Sequence, residues 1–85
     1  MRAIDYSKLR GLTASKLVKA LERDGFYRKS QRGSHHRYAH VDGRRVTVTF
    51  HRPGQTFKIG TLQSMIGKQA QWGEEDLKRL KLLKE

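Results

Sequence analysis

The sequence SHHRYAHVDGRRVTVTFHR, residues 34–52, contains two runs of alternating side chains joined by Asp42 and Gly43. An Asp-Gly pair between two such runs is among the strongest short-range signals for a β-hairpin. Successive side chains of a strand point to opposite faces of its sheet, so the second run separates into an apolar and a polar face. The apolar face contains Val46, Val48 and Phe50, and the polar face contains Arg45, Thr47, Thr49 and His51. We therefore predict that one face packs against helices and the other meets solvent.

The residues before this hairpin extend it into a small sheet. The segment FYRKSQR, residues 26–32, has a strand-like composition, and Gly33 ends it. Residues 26–52 are therefore predicted to form a three-stranded antiparallel meander.

A helical pattern precedes the sheet. Residues 13–24 place apolar side chains three and four positions apart, and Gly25 ends the pattern. Thr13 is a suitable N-cap, and Leu12 and Leu17 have the spacing of a hydrophobic staple around it. These signals predict the first helix and its start.

Two further helices are predicted after the sheet. The first opens at Thr61 and runs to Trp72, although Gly67 within it costs about 1 kcal/mol relative to alanine in a helix. The second follows Gly73, and its acidic first turn, residues 74–76, suits the positive end of a helix dipole.

This order of elements predicts an α+β fold, a two-layer α-β-β-β-α sandwich with a short C-terminal helix added. A chain of 85 residues is expected to form one domain, which we place at residues 13–85. Residues 1–12 form an N-terminal extension that could be a tail packed on the core or a frayed arm. We expect it to be loosely attached.

The chain is strongly and unevenly basic. It has 19 Lys and Arg against 8 Asp and Glu, a formal net charge of +11. Eight of the basic residues, all four histidines and one acidic residue lie between Phe26 and Gly60. Such a field attracts polyanions, so we expect nucleic acid rather than a membrane surface as the partner. The sequence has no signal-like or membrane-spanning apolar stretch and no cysteine, which favours a cytoplasmic location.

The histidines do not have the spacing of a metal site. His36 and His40 would share a strand face but lie about 13 Å apart at 3.3 Å per residue, which is too far for one ion. Ser34 and His35 are adjacent and would point to opposite faces, so they do not form a nucleophile-base pair without a bulge. We expect neither a metal nor a cofactor.

RNA cleavage without metal suits these residue types better. It requires a base near the 2′-hydroxyl, an acid for the leaving 5′-oxygen, and cations around the phosphorane, and histidine near neutral pH can perform the proton transfers. Histidines on basic strands also contact bases or phosphates without catalysis. The residues alone leave cleavage and simple RNA binding equally open.

Four short motifs together resemble the HicA toxin family of small bacterial messenger-RNA interferases. They are LERDGF, GSHHRY, RRVTV and GTLQSMI, in the order and spacing of that family, and the resemblance runs from about Leu17 to about Leu77. The resemblance implies a fold like that of the double-stranded-RNA-binding domain. It also implies cleavage of mRNA that is independent of metal and of the ribosome, with one catalytic histidine, and a HicB-type antitoxin as partner.

Carried onto this sequence, the resemblance implies that His35 is catalytic and that Gly33 and Ser34 shape the turn that presents it. We expect His36 to be structural or in contact with substrate, and Tyr38 to lie in the core. The family often has proline directly before the histidine that ends the third strand, whereas here Phe50 precedes His51. A supporting role for His51 is therefore left open.

The prediction for function is a toxin that is an endoribonuclease. The candidates for binding the RNA backbone are Lys29, Arg32, Arg37 and Arg45. The presence of each is explained equally well by an ordinary charged residue on the protein surface. The alternatives are a non-catalytic RNA-binding module of the same fold and a protein that only binds a partner.

Overall fold

The computed structural model describes residues 4–83 and confirms the predicted order of elements. A 3₁₀ helix, Tyr6–Leu9, precedes α1 (Ala14–Arg23), β1 (Tyr27–Arg32), β2 (His35–Ala39) and β3 (Arg45–Thr49). Helix α2 (Ile59–Leu62) continues as π-helical turns over Gln63–Gln69, and α3 is Glu74–Arg79. The α+β prediction is therefore correct. No helix among residues 4–83 is long and apolar enough to cross a membrane.

The three strands form one antiparallel sheet in the order β1-β2-β3. The turn at residues 40–43 joins β2 to β3 as the Asp-Gly pair predicts, with the Gly43 N–H donating to the His40 carbonyl at 3.0 Å. The pairing of β1 with β2 is irregular between Arg28 and Ser30, where Lys29 forms a bulge.

One face of the sheet packs against the helices, and we call the opposite one the open face. Val46 and Val48 of β3 and Tyr38 of β2 are buried in one cluster with Leu17 of α1 and Ile66 of the π-helical turns. Thr13 caps α1, accepting a hydrogen bond from the Lys16 N–H at 3.3 Å. The predicted core position of Tyr38 is confirmed.

Strand β1 differs from the other two because all six of its residues are exposed. It lies at the edge of the sheet beyond the helices, so neither of its faces is covered. The expectation that one face packs and the other meets solvent holds for β2 and β3 but not for β1.

The edge of β3, in contrast, is closed by two glutamine side chains. The Thr47 N–H donates to Gln69 Oε1 at 2.8 Å, and the Thr49 carbonyl accepts from Gln55 Nε2 at 3.4 Å. Both groups point away from β2. An otherwise unpaired strand edge is thereby covered.

The second helix differs from its prediction at both ends. It begins at Ile59, two residues before Thr61, and its last turns are π-helical, with the Ala70 N–H donating to the Met65 carbonyl at 2.8 Å. These wider turns end the helix at Gln69, and the predicted end at Trp72 is wrong.

The expected loose attachment of the N-terminal extension does not hold for residues 4–12. Leu9 and Leu12 are buried in the core, and Ile4 and Tyr6 pack against it. Residues 1–3 of that predicted extension, and residues 84–85 at the other end, lie outside the described residues. The division at residue 12 stays a prediction.

Candidate functional site

The open face brings the predicted catalytic histidine to one end of the sheet. His35 is the first residue of β2, and it pairs with Arg32 of β1 on one side and Thr49 of β3 on the other. Directly paired residues point to the same face, so Arg32 and Thr49 flank His35 on the open face. All three residues are exposed to solvent.

Thr49 holds one nitrogen of the His35 ring. Its Oγ1 lies 3.0 Å from His35 Nδ1, within hydrogen-bond distance. The backbone explains this contact, because the Thr49 carbonyl points to Gln55 and away from β2. His35 and Thr49 are therefore a non-hydrogen-bonded pair, the type in which opposite side chains lie closest.

The other nitrogen of His35, Nε2, makes no hydrogen bond to any of residues 4–83. A neutral imidazole has one donor and one acceptor nitrogen. If Nδ1 donates its proton to Thr49 Oγ1, Nε2 carries a lone pair that can accept a proton from a bound molecule. The arrangement is suited to general base catalysis on the open face.

Gly33 and Ser34 form the turn that precedes His35. Gly33 has φ of 54°, in the left-handed region that favours glycine, and its carbonyl accepts from Gln31 Nε2 at 3.2 Å. The Ser34 carbonyl accepts from the Phe50 N–H at 3.1 Å, so the turn is tied to the end of β3. The turn thus leads directly into His35, and the supporting role of Gly33 and Ser34 stays a prediction.

The predicted RNA-binding cations share the open face with His35. Arg32 is its neighbour on β1, Arg37 lies two residues further along β2, and Lys29 and Arg45 lie toward the other end of the sheet. Lys29, Arg37 and Arg45 line a shallow depression of about 270 Å³.

These four cations lack acidic partners. None takes part in a salt bridge within residues 4–83, whereas Arg44 and Arg79 pair with aspartates elsewhere. Uncompensated cations on one face attract phosphates from solution more strongly than paired ones do. The open face therefore has the electrostatics of a nucleic-acid interface.

His36 lies on the opposite face from His35 and is 8% exposed. Its ring stacks on Phe50, with centroids 4.1 Å apart and planes 11° apart, and its Nδ1 has no hydrogen-bond partner among residues 4–83. Burial, with a smaller contribution from the charge of Arg28, lowers the pKa of His36 below its ordinary value. Burial and the lowered pKa both favour the neutral ring, and the stack on Phe50 places His36 against the core.

His51 follows β3 and is exposed, with its N–H donating to Gln55 Oε1 at 3.0 Å. It lies beside the turn of Gly33 and Ser34 around a recess of about 280 Å³. The structure therefore places His51 at the same end of the sheet as His35. No hydrogen bond joins their side chains within the described residues.

His40, the remaining histidine, is held in place by hydrogen bonds at both ring nitrogens. Its Nε2 lies 2.7 Å from the Asp24 carbonyl, so it donates there, and its Nδ1 accepts from the Asp42 N–H at 3.1 Å. The ring also packs edge-on against Phe26. Among residues 4–83, no group of three His, Asp or Glu side chains lies close enough to hold a metal ion.

Sequence reasoning missed two residues of the open face. Thr49 was placed on the polar face, but its contact with His35 follows only from the register of β2 and β3. Tyr27 pairs with Ala39 and so lies on the open face, 53% exposed. The bulge at Lys29 breaks the alternation that would otherwise have assigned Tyr27 to a face.

Comparison with known proteins identifies one family. A family model described as the HicA toxin of bacterial toxin-antitoxin systems matches residues 14–72. The matched segment begins with α1 and includes the whole sheet, His35, and the π-helical turns. No curated protein matches the chain.

Proposed function

The chain belongs to the HicA toxin family of bacterial toxin-antitoxin systems, and from that premise we propose that it is a metal-independent endoribonuclease that cleaves mRNA through His35. As a family member it is the toxin of such a system, and its counterpart is an antitoxin. The observation that carries the proposal is an exposed histidine, hydrogen-bonded at Nδ1 to Thr49, on a sheet face with four cations that make no salt bridge to any described residue.

In the proposed reaction the 2′-hydroxyl of RNA attacks the adjacent phosphorus. His35 Nε2 takes the 2′-hydroxyl proton, the 2′-oxygen–phosphorus bond forms, and the bond from phosphorus to the 5′-oxygen breaks. Water protonates the departing 5′-oxygen, and the products are a 2′,3′-cyclic phosphate and a free 5′-hydroxyl. Arg32 and Arg37, the cations nearest His35 in the register, stabilise the charge that develops on the phosphorane oxygens.

The second candidate function is RNA binding without cleavage. The unpaired cations of the open face support it as well as they support catalysis, since phosphate contacts alone give strong, salt-dependent binding. The hydrogen bond between His35 and Thr49 favours catalysis, because proton transfer requires a fixed orientation of the imidazole ring whereas contact with phosphate does not.

The test is incubation of the purified chain with single-stranded RNA in EDTA. We expect the wild type to cleave, His35→Ala to bind with similar affinity but not to cleave, and His51→Ala to keep most of the activity. Circular dichroism controls for folding of each variant. Binding by the wild type without cleavage would establish the RNA-binding alternative, and a cleaving His35→Ala would contradict the assignment of His35.

We further propose that Thr49 positions His35. Thr49→Val removes the hydroxyl but keeps the β-branched shape that suits a strand. We expect kcat to fall about 10- to 100-fold with little change in RNA affinity, because a misplaced catalytic group loses rate by such factors. Thr49→Ser, which keeps the hydroxyl, should retain most of the rate.

Nitrogen chemical shifts of the His35 ring give a second readout, independent of turnover. The wild type should show the tautomer with its proton on Nδ1, and Thr49→Val should lose that preference. Thr61→Val, at an exposed position of α2, is the matched control and should change neither kcat nor the tautomer of His35. A wild-type ring protonated on Nε2 would mean that Thr49 does not prepare His35 as a base.

For the antitoxin, we propose a HicB-type protein that covers the open face in the cytoplasm. Opposite charge across an interface raises both association rate and specificity, and this face presents unpaired cations. An acidic antitoxin surface there would compete directly with RNA.

A further inference from the structure

Tyr27 lies at the end of the open face that is remote from His35. It pairs with Ala39, the last residue of β2, whereas His35 is the first residue of that strand. Four residues of a strand span about 13 Å. Tyr27 is also one of two large apolar or aromatic side chains that are strongly exposed among the described residues.

A cationic depression lies at the same end of the open face as Tyr27, which pairs with one of its lining residues but does not itself line it. Ala39, opposite Tyr27, is buried and forms part of the floor of the depression that Lys29, Arg37 and Arg45 line. No residue of β1, β2 or β3 on the open face is acidic. An exposed ring therefore stands beside a recess whose rim can hold phosphates.

An aromatic side chain within a cationic groove is how proteins hold single-stranded RNA without reading its sequence, since every base has a face that can stack. A protein partner also gains from burying a tyrosine, so binding of the antitoxin to Tyr27→Ala is the competing measurement below. The combination of an exposed ring with unpaired cations favours RNA.

We propose that Tyr27 and the adjacent depression form a nucleobase-stacking subsite, which holds a base of the substrate RNA away from the cleaved phosphodiester bond. This inference rests on the proposed function. RNA would then run along the open face, with its reacting phosphate at His35, its backbone on Arg37 and Arg45, and one base on Tyr27.

The experiment measures RNA affinity in a His35→Ala background, so that the RNA stays intact. Tyr27→Ala should weaken binding of single-stranded RNA at least about 5-fold, the lower end of the contribution of one stacked base. Tyr27→Phe should bind as tightly as the parent, because it keeps the ring. Val41→Ala, at the other exposed apolar residue (89% exposed, in the turn after β2), is the matched control and should change nothing.

Abasic substitutions identify the stacked base directly. RNAs with one base removed at successive positions are compared on the parent and on Tyr27→Ala. One position should weaken binding to the parent and have no effect on Tyr27→Ala. The salt dependence should be the same in both proteins, whereas Arg45→Gln should reduce its slope, because only the arginine releases counterions from phosphate.

The possible outcomes distinguish failure of the Tyr27 subsite from failure of the proposed endoribonuclease function. If the wild type cleaves RNA but Tyr27→Ala binds RNA like the parent, the subsite is wrong and the endoribonuclease stands. If Tyr27→Ala weakens binding of the antitoxin and not of RNA, the ring belongs to a protein interface and the inference is overturned. If the wild type neither binds nor cleaves RNA, the proposed function itself fails.

Discussion

His35 and His36 show how far adjacent residues of one strand can differ. His35 lies on the open face with one ring nitrogen that bonds to no group in the part of the chain the structure describes, and His36 is buried against Phe50 on the other face. Strand alternation predicted that they would point in opposite directions. It did not predict which would be buried, because that depends on where the helices pack.

The buried state of His36 leads to a prediction about pH. Because the pKa of His36 is lowered in the folded protein, the unfolded chain binds its proton first as pH falls. The contribution of His36 to the free energy of unfolding is therefore fully present above about pH 6.5, the ordinary pKa of histidine. It is lost as pH falls toward the folded-state pKa. His36→Phe keeps an aromatic ring against Phe50 and should not show this loss.

The free energy of unfolding of both proteins, measured from pH 7.5 to pH 5, tests this. At pH 7.5 the two should differ by less than about 1.5 kcal/mol, since a buried ring without a hydrogen-bond partner is replaced by an apolar one of similar shape. The other three histidines are the same in both proteins, so any contribution from them cancels in the comparison. Parallel pH dependences would mean that folding does not lower the pKa of His36, and loss of RNA cleavage in the folded variant would show that His36 does more than pack.

At the scale of elements, the sequence predicted the strands and α1 closely, because alternation, the Asp-Gly turn and the Thr13 cap are local signals. The N-terminal segment and the π-helical turns were not predicted. Their geometry depends on contacts between distant parts of the chain, among them the hydrogen bond of Gln69 to β3. The cations of the candidate site were found by charge alone, but Thr49 and Tyr27 required the register and the bulge.

Gly67 is unfavourable within the predicted second helix, and a contact with the N-terminal segment explains why glycine is present there. A Cβ placed on Gly67 would lie 2.9 Å from the Tyr6 hydroxyl oxygen, so glycine allows that side chain to approach the helix. Alanine is intrinsically better than glycine in a helix by about 1 kcal/mol. We expect Gly67→Ala to gain little in the wild type and up to about 1 kcal/mol more in Tyr6→Phe, where the oxygen is absent.

Urea denaturation of the four proteins measures this coupling. Gly60→Ala is the matched control, because nothing lies within 4 Å of a Cβ at that helical glycine. Its effect should be the same with Tyr6 or with Phe at position 6. An equal effect of Gly67→Ala in both backgrounds would mean that Tyr6 does not restrict this position.

At the scale of the whole molecule, charge is divided between two regions. The open face carries four cations that make no salt bridge within residues 4–83, while Asp24, Asp42 and Asp76 are gathered with Arg44 and Arg79 where the end of α1, the β2–β3 turn and the start of α3 meet. Four of the 19 Lys and Arg residues lie on the open face, whose strand residues include no Asp or Glu, so this face has a local excess of positive charge. Composition predicted a polyanion partner, and we propose that the open face is the side that receives it.

Asp24 joins the segments of this second region. Its carboxylate, on a side chain 10% exposed, accepts from Trp72 Nε1 and Arg79 Nη2, both at 2.8 Å, and lies 3.1 Å from Arg44 Nη1. These partners belong to the sheet hairpin, the segment after the π-helical turns, and α3. One side chain thus connects the matched domain to the helix that follows it.

Asp24→Asn should therefore destabilise the whole molecule by about 2–4 kcal/mol at pH 7, since it leaves Arg44 without its buried partner and places an amide donor among donors. Burial raises the pKa of Asp24, but the hydrogen bonds from Trp72 and Arg79 and the charges of Arg44 and Arg79 outweigh it, and the pKa lies below its ordinary value.

The stability from this carboxylate is thus full above about pH 3.9 and is lost as pH falls through the folded-state pKa. The gap between the wild type and Asp24→Asn in free energy of unfolding should narrow only below that pH. Asp5→Asn, at an exposed cap of the 3₁₀ helix, is the control and should cost no more than about 1 kcal/mol at pH 7. A gap that stays constant to pH 2 would mean that the charge of Asp24 is not what holds these segments together.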